Sequence, residues 1–370
     1  MAQALCVDSL ACRYTAFLKA GFHSSGAGNR YSGRPAAVYR TGRSYCRRQQ
    51  RHSLDTGKCH MNIAVTGANG LVGGHLVEAL TCANHRVLAI SRSSRPAILQ
   101  KIVKSHGWSY AAIDICDESA LRRVLIQHRI EVLIQCAVVR WRGEDALHPR
   151  RGVHWKVNVD GAASAARAAA AAGVRAFIHS SAMMVFDLDG NYDRAVTEDD
   201  PVAPAEPNGL SVVVAEQMAG YLARRAGMPF TILRYPGIYG PGKTGGFVAR
   251  CIEHVKQQPD RPLKVRSNRR ADFLWVGDAV AANVLVLEAL EDAAGHLFHI
   301  GSESTVSTRT VAQTVCTCAK RSVELPEDEQ PLADRRFGLD CSKATRILGY
   351  KPHSLSFGIS QTISDWFSTP

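Results

Sequence analysis

Asn62-Ile63-Ala64-Val65-Thr66-Gly67-Ala68-Asn69-Gly70-Leu71-Val72-Gly73 is the stretch that decides the fold. A short apolar, strand-like run enters a series of glycines three residues apart, and a helical pattern follows. Gly67 suits the tight turn off the strand, Gly70 lets backbone approach a pyrophosphate, and Gly73 lets the new helix pack closely on the strand. The start of such a helix also offers unpaired amide donors and the positive end of its dipole. A glycine pattern alone is weak, but strand, spacing and helix agree here. They point to a dinucleotide site at Gly67, Asn69, Gly70, Leu71, Val72 and Gly73.

Outward from this stretch the chain alternates short apolar runs with helical segments. The runs are His85–Ser91, Trp108–Asp114, Glu131–Ala137, Ala176–Ser181 and Phe230–Pro236; helices are expected at Gly73–Thr81, Glu118–His128, Val157–Ala172 and Ser211–Ala226. Continuous apolar strands alternating with helices predict an α/β, doubly wound parallel-sheet Rossmann fold covered on both faces. After Pro236 the texture changes to Gly/Pro loops, a basic stretch at Arg261–Arg270, a helix near Val280–Leu290, a strand in His296–Gly301 and two amphipathic helices around Gly349-Tyr350-Lys351-Pro352. The expected organisation is a Rossmann domain over 61–235 and a smaller C-terminal, substrate-capping domain over 236–370. Within the latter, residues from about 272 to 301 return to the Rossmann core.

The chain has 370 residues, 46% hydrophobic and 21% charged, which suits a globular protein with a sizeable core. No apolar run approaches the roughly 20 residues that a membrane span needs. The net charge of +12 is unevenly spread: residues 1–60 hold ten Lys/Arg against Asp8 and Asp55. The modest excess left after Met61 suits phosphorylated or carboxylated ligands rather than nucleic acid. The leader 1–60 reads either as an Arg/Ser-rich organelle-targeting peptide or as upstream sequence ahead of a start at Met61, and lies outside the fold on both readings. Four of the eleven cysteines fall in this leader and the rest show no metal spacing, so no metal site is expected. A reducing compartment follows, the cytoplasm, or an organelle matrix if the leader targets one.

Where the second strand ends, an acid would hold the ribose 2′-hydroxyl of NAD, but the sequence reads Ser91-Arg92-Ser93-Ser94-Arg95. Arg92 suits a 2′-phosphate, which favours NADP over NAD; the competing reading is a solvated loop arginine. With Asp114-Ile115, Asn158-Val159-Asp160-Gly161, Phe177-Ile178-His179-Ser180-Ser181, Arg234-Tyr235-Pro236-Gly237-Ile238-Tyr239-Gly240 and the closing Ser342-Lys343-Ala344-Thr345-Arg346-Ile347-Leu348-Gly349-Tyr350, the chain resembles the extended short-chain dehydrogenase/reductases, the epimerase/dehydratase family. The resemblance covers nearly everything from Met61 onward. It implies that Asp114 and Ile115 flank the adenine, that Ala137 and Val138 line the nicotinamide side, and that Asn158 lies near the cofactor or holds the active-site backbone. It adds Ser180, Val212, Tyr235, Pro236 and Ile238 to the cofactor surroundings, and places Arg140, Met183, Asn208, Arg234 and Arg270 toward the substrate, with Arg269 beside them.

The family works with a Tyr, a Lys four residues later and a Ser or Thr. Counting through Glu216 and Gln217 puts Asn208 at the Tyr position and Val212 at the Lys position, and Ala182 stands where the hydroxyl belongs. Asn exchanges no proton near neutral pH, and Val neither tunes a pKa nor binds ribose. The pair Tyr239 and Lys243 has the family's spacing but a Gly-Pro-Gly spacer, which forbids the helical turn required. Replacement donors would come from Ser181, the favoured choice by adjacency, or from His179, Asp187, Tyr192 or Cys136, each of which also reads as an ordinary core or turn residue. Ala271 precedes Asp272 where many sugar-nucleotide members carry Arg, which counts against such a substrate. Two functions stand open: an NAD(P)-binding, epimerase/dehydratase-like enzyme with a non-standard catalytic set acting on a small metabolite or sugar-like substrate, and a catalytically inactive NADP-binding subunit or sensor. A homodimer is compatible with both.

Overall fold

The computed structural model describes residues 60–368, apart from 95–96, 104, 140–151, 189, 191, 259, 262, 266–269 and 325–336. Leader residues 1–59 and Arg95, Arg140 and Arg269 therefore lie outside the described residues. In chain order the core is β1 (Asn62–Thr66), α1 (Leu71–Cys82), β2 (Arg86–Ser91), α2 (Ala97–Ile102), β3 (Trp108–Ala112), α3 (Glu118–Gln127), β4 (Val132–Gln135), α4 (Gly161–Ala171), β5 (Ala176–Ala182), α5 (Pro207–Arg225) and β6 (Phe230–Tyr235). There follow β7 (Gly237–Tyr239), α6 (Phe247–Gln257), β8 (Leu263–Lys264), β9 (Arg270–Trp275), α7 (Val276–Glu288), β10 (Leu297–His299), β11 (Thr305–Ser307), α8 (Thr308–Ala319), β12 (Val323–Glu324), α9 (Ser342–Leu348) and α10 (Leu355–Ser368).

Seven strands form one parallel sheet in the order β3-β2-β1-β4-β5-β6-β10. Period-two alternation explains why helices cover both faces. Ile63 and Val65 join Val87, Ile134, Ile178 and Leu233 in one core with residues of α1 and α7, while Ala64 joins Leu88, Leu133 and Phe177 in a second with residues of α3, α4 and α5. The Ala run makes α4 thin: Ala162, Ala165, Ala166 and Ala169 are fully buried. A π-helical turn at Lys156–Asp160 precedes it, so the regular helix starts at Gly161 rather than at the expected Val157. α5 starts four residues before the expected Ser211, because Pro207 occupies the first turn, where its missing N–H costs nothing.

The residues after Pro236 hold more regular structure than their Gly/Pro texture suggests. A three-stranded sheet, β11-β9-β7, runs through residues read as loop, and α6, α8 and α10 pack Val248, Ile252, Val311, Val315 and Ile359 into a third core. β10 pairs in parallel with β6, and α7 packs on α1, so residues 276–299 lie against the Rossmann sheet. Among the described residues no helix is long and apolar enough to cross a membrane, and no group of three or more His, Cys, Asp or Glu could hold a metal ion.

Candidate cofactor and substrate crevice

The strand order turns back between β1 and β4, and a crevice opens above the carboxyl ends of strands at such a reversal. Gly67 turns the chain there with φ +65°, and a Cβ on it would lie 2.6 Å from the Ala137 nitrogen. At Gly73 a Cβ would lie 2.4 Å from the Gly67 carbonyl oxygen. Only bare backbone fits at both positions. Gly70 caps α1 without a side-chain hydrogen bond, and the first turn carries no acid. The exposed Gly70 and the part-buried Leu71 and Val72 therefore lie at a helix start that is open to an anion. These features fit a dinucleotide pyrophosphate.

The surrounding loops are fixed by hydrogen bonds. Asn69 Oδ1 accepts from the Leu99 amide at 3.0 Å, tying the glycine loop to α2. Asp114 Oδ1 accepts from the Cys116 amide at 2.9 Å, and Ile115 is buried against Gly161. Asn158, 2% exposed, accepts from the Val139 amide at 2.9 Å and donates to the Val139 carbonyl at 3.1 Å and to Ser211 Oγ at 2.9 Å. It ties Val139 to Ser211 of α5. Val138 stays exposed. Ser180 sits 3.3 Å from the Cys136 thiol, and the Tyr235 phenol accepts from Asn283 at 2.7 Å. Pro236 is buried and Ile238 part-buried on the continuing chain.

The residues that the sequence count singled out lie at the end of β5 and in the first turns of α5. Ala182 ends β5 and is buried, and Asn208 in the first turn of α5 donates to Met184 Sδ at 3.7 Å. Asn208 Oδ1 is buried and has no partner among the described residues. Val212 packs with Met183, Val185, Phe186 and Leu339 in a small apolar core. Tyr239 and Lys243 are not on a helix: Tyr239 lies in β7 and donates to the Leu355 carbonyl at 3.4 Å.

Several expectations are corrected. Ser181 follows Ser180 and so faces the other side of the sheet, where its hydroxyl donates to buried Glu216 of α5. It is not free for the crevice. Arg234 is also committed: Nε and Nη2 donate to the Glu216 carboxylate at 2.8 and 2.7 Å, the guanidinium lies 5.4 Å from the centre of the Phe186 ring, and the residue is 4% exposed. A side chain so held does not reach substrate. His179 stacks near Phe177 and Phe230, and burial pulls its pKa down to about 4, leaving it neutral. Burial pushes the Cys136 thiol up to about 12, and the Tyr192 ring packs on Phe337 at 4.8 Å. Asp187 accepts at its carbonyl from the Gly190 amide in a turn.

Met183 is buried beside Val212. Arg270 is exposed, donates to the Thr305 carbonyl at 2.8 Å and lines a recess of about 410 Å³ with Glu303, Ser304 and Leu339. A further recess of about 440 Å³, bordered by Arg86, Trp108 and Arg129, lies at the amino ends of the strands, on the far side from the glycine loop. Sequence reading missed the Glu216 network and Tyr110, whose phenol contacts Ser91 and Ser93 after β2.

The sequence profile of the NAD dependent epimerase/dehydratase family matches residues 63–301. The chain belongs to this family. A UDP-glucose 4-epimerase of Mycolicibacterium smegmatis is 28% identical over 318 residues, 82% of this chain and 97% of that protein. The UDP-glucose 4-epimerase of Thermotoga maritima, solved with UDP-glucose, superposes with a TM-score of 0.71 at 25% identity, covering 84% of this chain and 99% of that one. A UDP-glucuronic acid 4-epimerase of Bacillus cereus, solved with UDP-glucuronic acid and NAD, shares the fold with a TM-score of 0.70 at 23% identity, covering 84% and 100%.

Proposed function

We propose that this family member binds NADP in preference to NAD and acts on a nucleotide-sugar-like substrate without the family's Tyr/Lys/Ser set. The observation that carries this reading is a glycine cradle shaped for backbone–pyrophosphate contact, in a chain whose Ala182, Asn208 and Val212 exchange no proton near neutral pH. Gly67, Gly70 and Gly73 would hold the pyrophosphate, Arg92 the 2′-phosphate, and Ala137 and Val138 the nicotinamide side. The bound nicotinamide supplies hydride transfer. Arg92 is exposed and forms no ion pair among the described residues, which leaves its guanidinium available. The nucleotide-sugar class rests on the relatives, two of which were solved with UDP-sugars. Residues 61–235 would serve as the cofactor domain and 236–370 mainly as the substrate lobe, in the cytoplasm or an organelle matrix.

Incubating the purified chain with NADP or NAD and UDP- and dTDP-sugars, followed by absorbance at the reduced-nicotinamide band and NMR of the sugar, tests this reading. Conversion of any sugar, dependent on added or retained cofactor, supports it. Cofactor binding without conversion supports a second reading, an inactive cofactor-binding subunit. That reading is favoured by the commitments of Ser181 and Arg234 to Glu216 and by the neutral states of His179 and Cys136. A homodimer would use the outer face of α5, where Leu210, Met218 and Tyr221 are exposed, together with Trp155. Light scattering on the eluting peak decides it.

A further inference from the structure

The loop that would read the ribose 2′ position is held by the neighbouring strand. Ser91 ends β2 opposite Ala112 of β3, and Tyr110 lies opposite Ala89 one pleat earlier, so Ser91 and Tyr110 share a sheet face. The Tyr110 phenol donates to the Ser93 carbonyl and lies 2.6 Å from Ser91 Oγ. A phenol has one proton, so with that proton on Ser93 the Ser91 hydroxyl donates to the Tyr110 oxygen. One side chain thus grips the residues on both sides of Arg92. The rest of the loop is anchored by backbone: the Ile113 amide donates to the Ser91 carbonyl at 2.9 Å, and the Ala68 amide to the Ile90 carbonyl at 3.1 Å. The second of these bonds sets the loop against the glycine turn.

We propose that Tyr110 is a positioning residue for cofactor choice, fixing Ser91–Ser93 so that the Arg92 guanidinium stays over the ribose 2′ position and meets a 2′-phosphate. The proposal rests on the NADP reading. Holding a long side chain's base in place before binding lowers the ordering cost that binding would otherwise carry. NAD has no 2′-phosphate for Arg92 to meet, so the effect is confined to NADP.

The experiment titrates NADP and NAD into the full chain, the Tyr110→Phe variant, the Arg92→Ala variant and the double variant. Phe keeps the ring's packing and removes both hydrogen bonds. Expected is a two- to tenfold loss of NADP affinity in Tyr110→Phe, of order one immobilised side chain, with NAD affinity unchanged. In the Arg92→Ala background the Tyr110 substitution should do nothing more, because its effect passes through Arg92. An unaltered NADP/NAD ratio in Tyr110→Phe, including equal losses for both cofactors, overturns the inference while leaving the NADP reading standing. Equal affinities for NADP and NAD in the unaltered chain overturn that reading and the inference with it.

Discussion

Replacing Glu216 by Ala should destabilise the chain severely, because the carboxylate is the counter-charge of a buried cation and the only one paired with it among the described residues. Arg234 and Glu216 have side chains 5% and 2% exposed, and two guanidinium nitrogens donate to the two carboxylate oxygens. The third, Nη1, already lacks a partner. Removing the carboxylate leaves Arg234 with a charge that water cannot reach, a single cation–π contact to Phe186, and Ser181 without its acceptor. Breaking a buried pair from one side costs about 3–5 kcal/mol, whereas replacing both partners by apolar groups is often neutral. At roughly 2–4 °C per kcal/mol for a chain of this order of size, the single change should lower Tm by about 6–20 °C. Thermal unfolding followed by circular dichroism compares Glu216→Ala with the double variant Glu216→Met/Arg234→Met. The double variant should melt above the single one. A Glu216→Ala protein that melts within a degree or two of the unaltered chain, or a double variant that melts lower still, would refute the account of Arg234 as a structural cation.

Gly73→Ala should weaken dinucleotide binding by about tenfold or more, because the added Cβ would lie 2.4 Å from the Gly67 carbonyl oxygen and overpacking costs about 1–3 kcal/mol; unchanged affinity in a fluorescence titration contradicts the cradle. Arg92→Ala should cost about ten- to a hundredfold in NADP affinity and nothing in NAD affinity, the value of one charge-assisted hydrogen bond, and isothermal titration with both dinucleotides is the check. Stability should fall as pH drops from about 6.5 toward 4, since buried His179 and His299 have pKa values lowered to about 4 by desolvation; the unfolded chain then binds more protons than the folded one, so the stabilisation is present above the unfolded pKa and lost below it, by on the order of 3 kcal/mol per histidine. His179→Phe should flatten this acid limb while changing Tm little at pH 7, and an unchanged limb in urea titrations across that range counts against it.

The doubly wound core was legible because its central strands β1 and β2 are buried along nearly their whole length and so spell almost continuous apolar runs. The second lobe was not, for a related reason. β9 reads Arg270-Ala271-Asp272-Phe273-Leu274-Trp275, and a buried acid breaks the apolar run. Asp272 is tolerated there because the Ser302 amide and hydroxyl donate to it at 3.0 and 2.8 Å, partners thirty residues away that no local pattern reveals. α8 is rich in Thr and Cys, so its one clear local sign is the cap, Ser307 Oγ accepting from the Thr310 amide at 3.0 Å. The glycine turn was legible because its requirement is geometric and local, and Gly67 and Gly73 meet it alone.

The catalytic region shows how residue types can be read from a sequence while directions need the strand. Counting singled out Ala182, Asn208 and Val212, at the end of β5 and in the first turns of α5, but choosing Ser181 by adjacency ignored the pleat. Neighbouring residues on a strand face opposite sides of the sheet, and Ser181, on the side opposite Ser180, is taken up by Glu216 of α5. Val212 is likewise more than a missing lysine, because it completes an apolar core with Met183, Val185, Phe186, Phe337 and Leu339. An ammonium placed there would be desolvated among hydrocarbon at a cost of several kcal/mol before it touched any ribose. Asn208 Oδ1 is buried without a donor among the described residues. Val212 is therefore part of the packing of this region, with Met183, Val185, Phe186, Phe337 and Leu339. Putting Tyr, Lys and Ser back together would first have to reopen that core, so the triple variant should lose stability before it gains any grip on the cofactor.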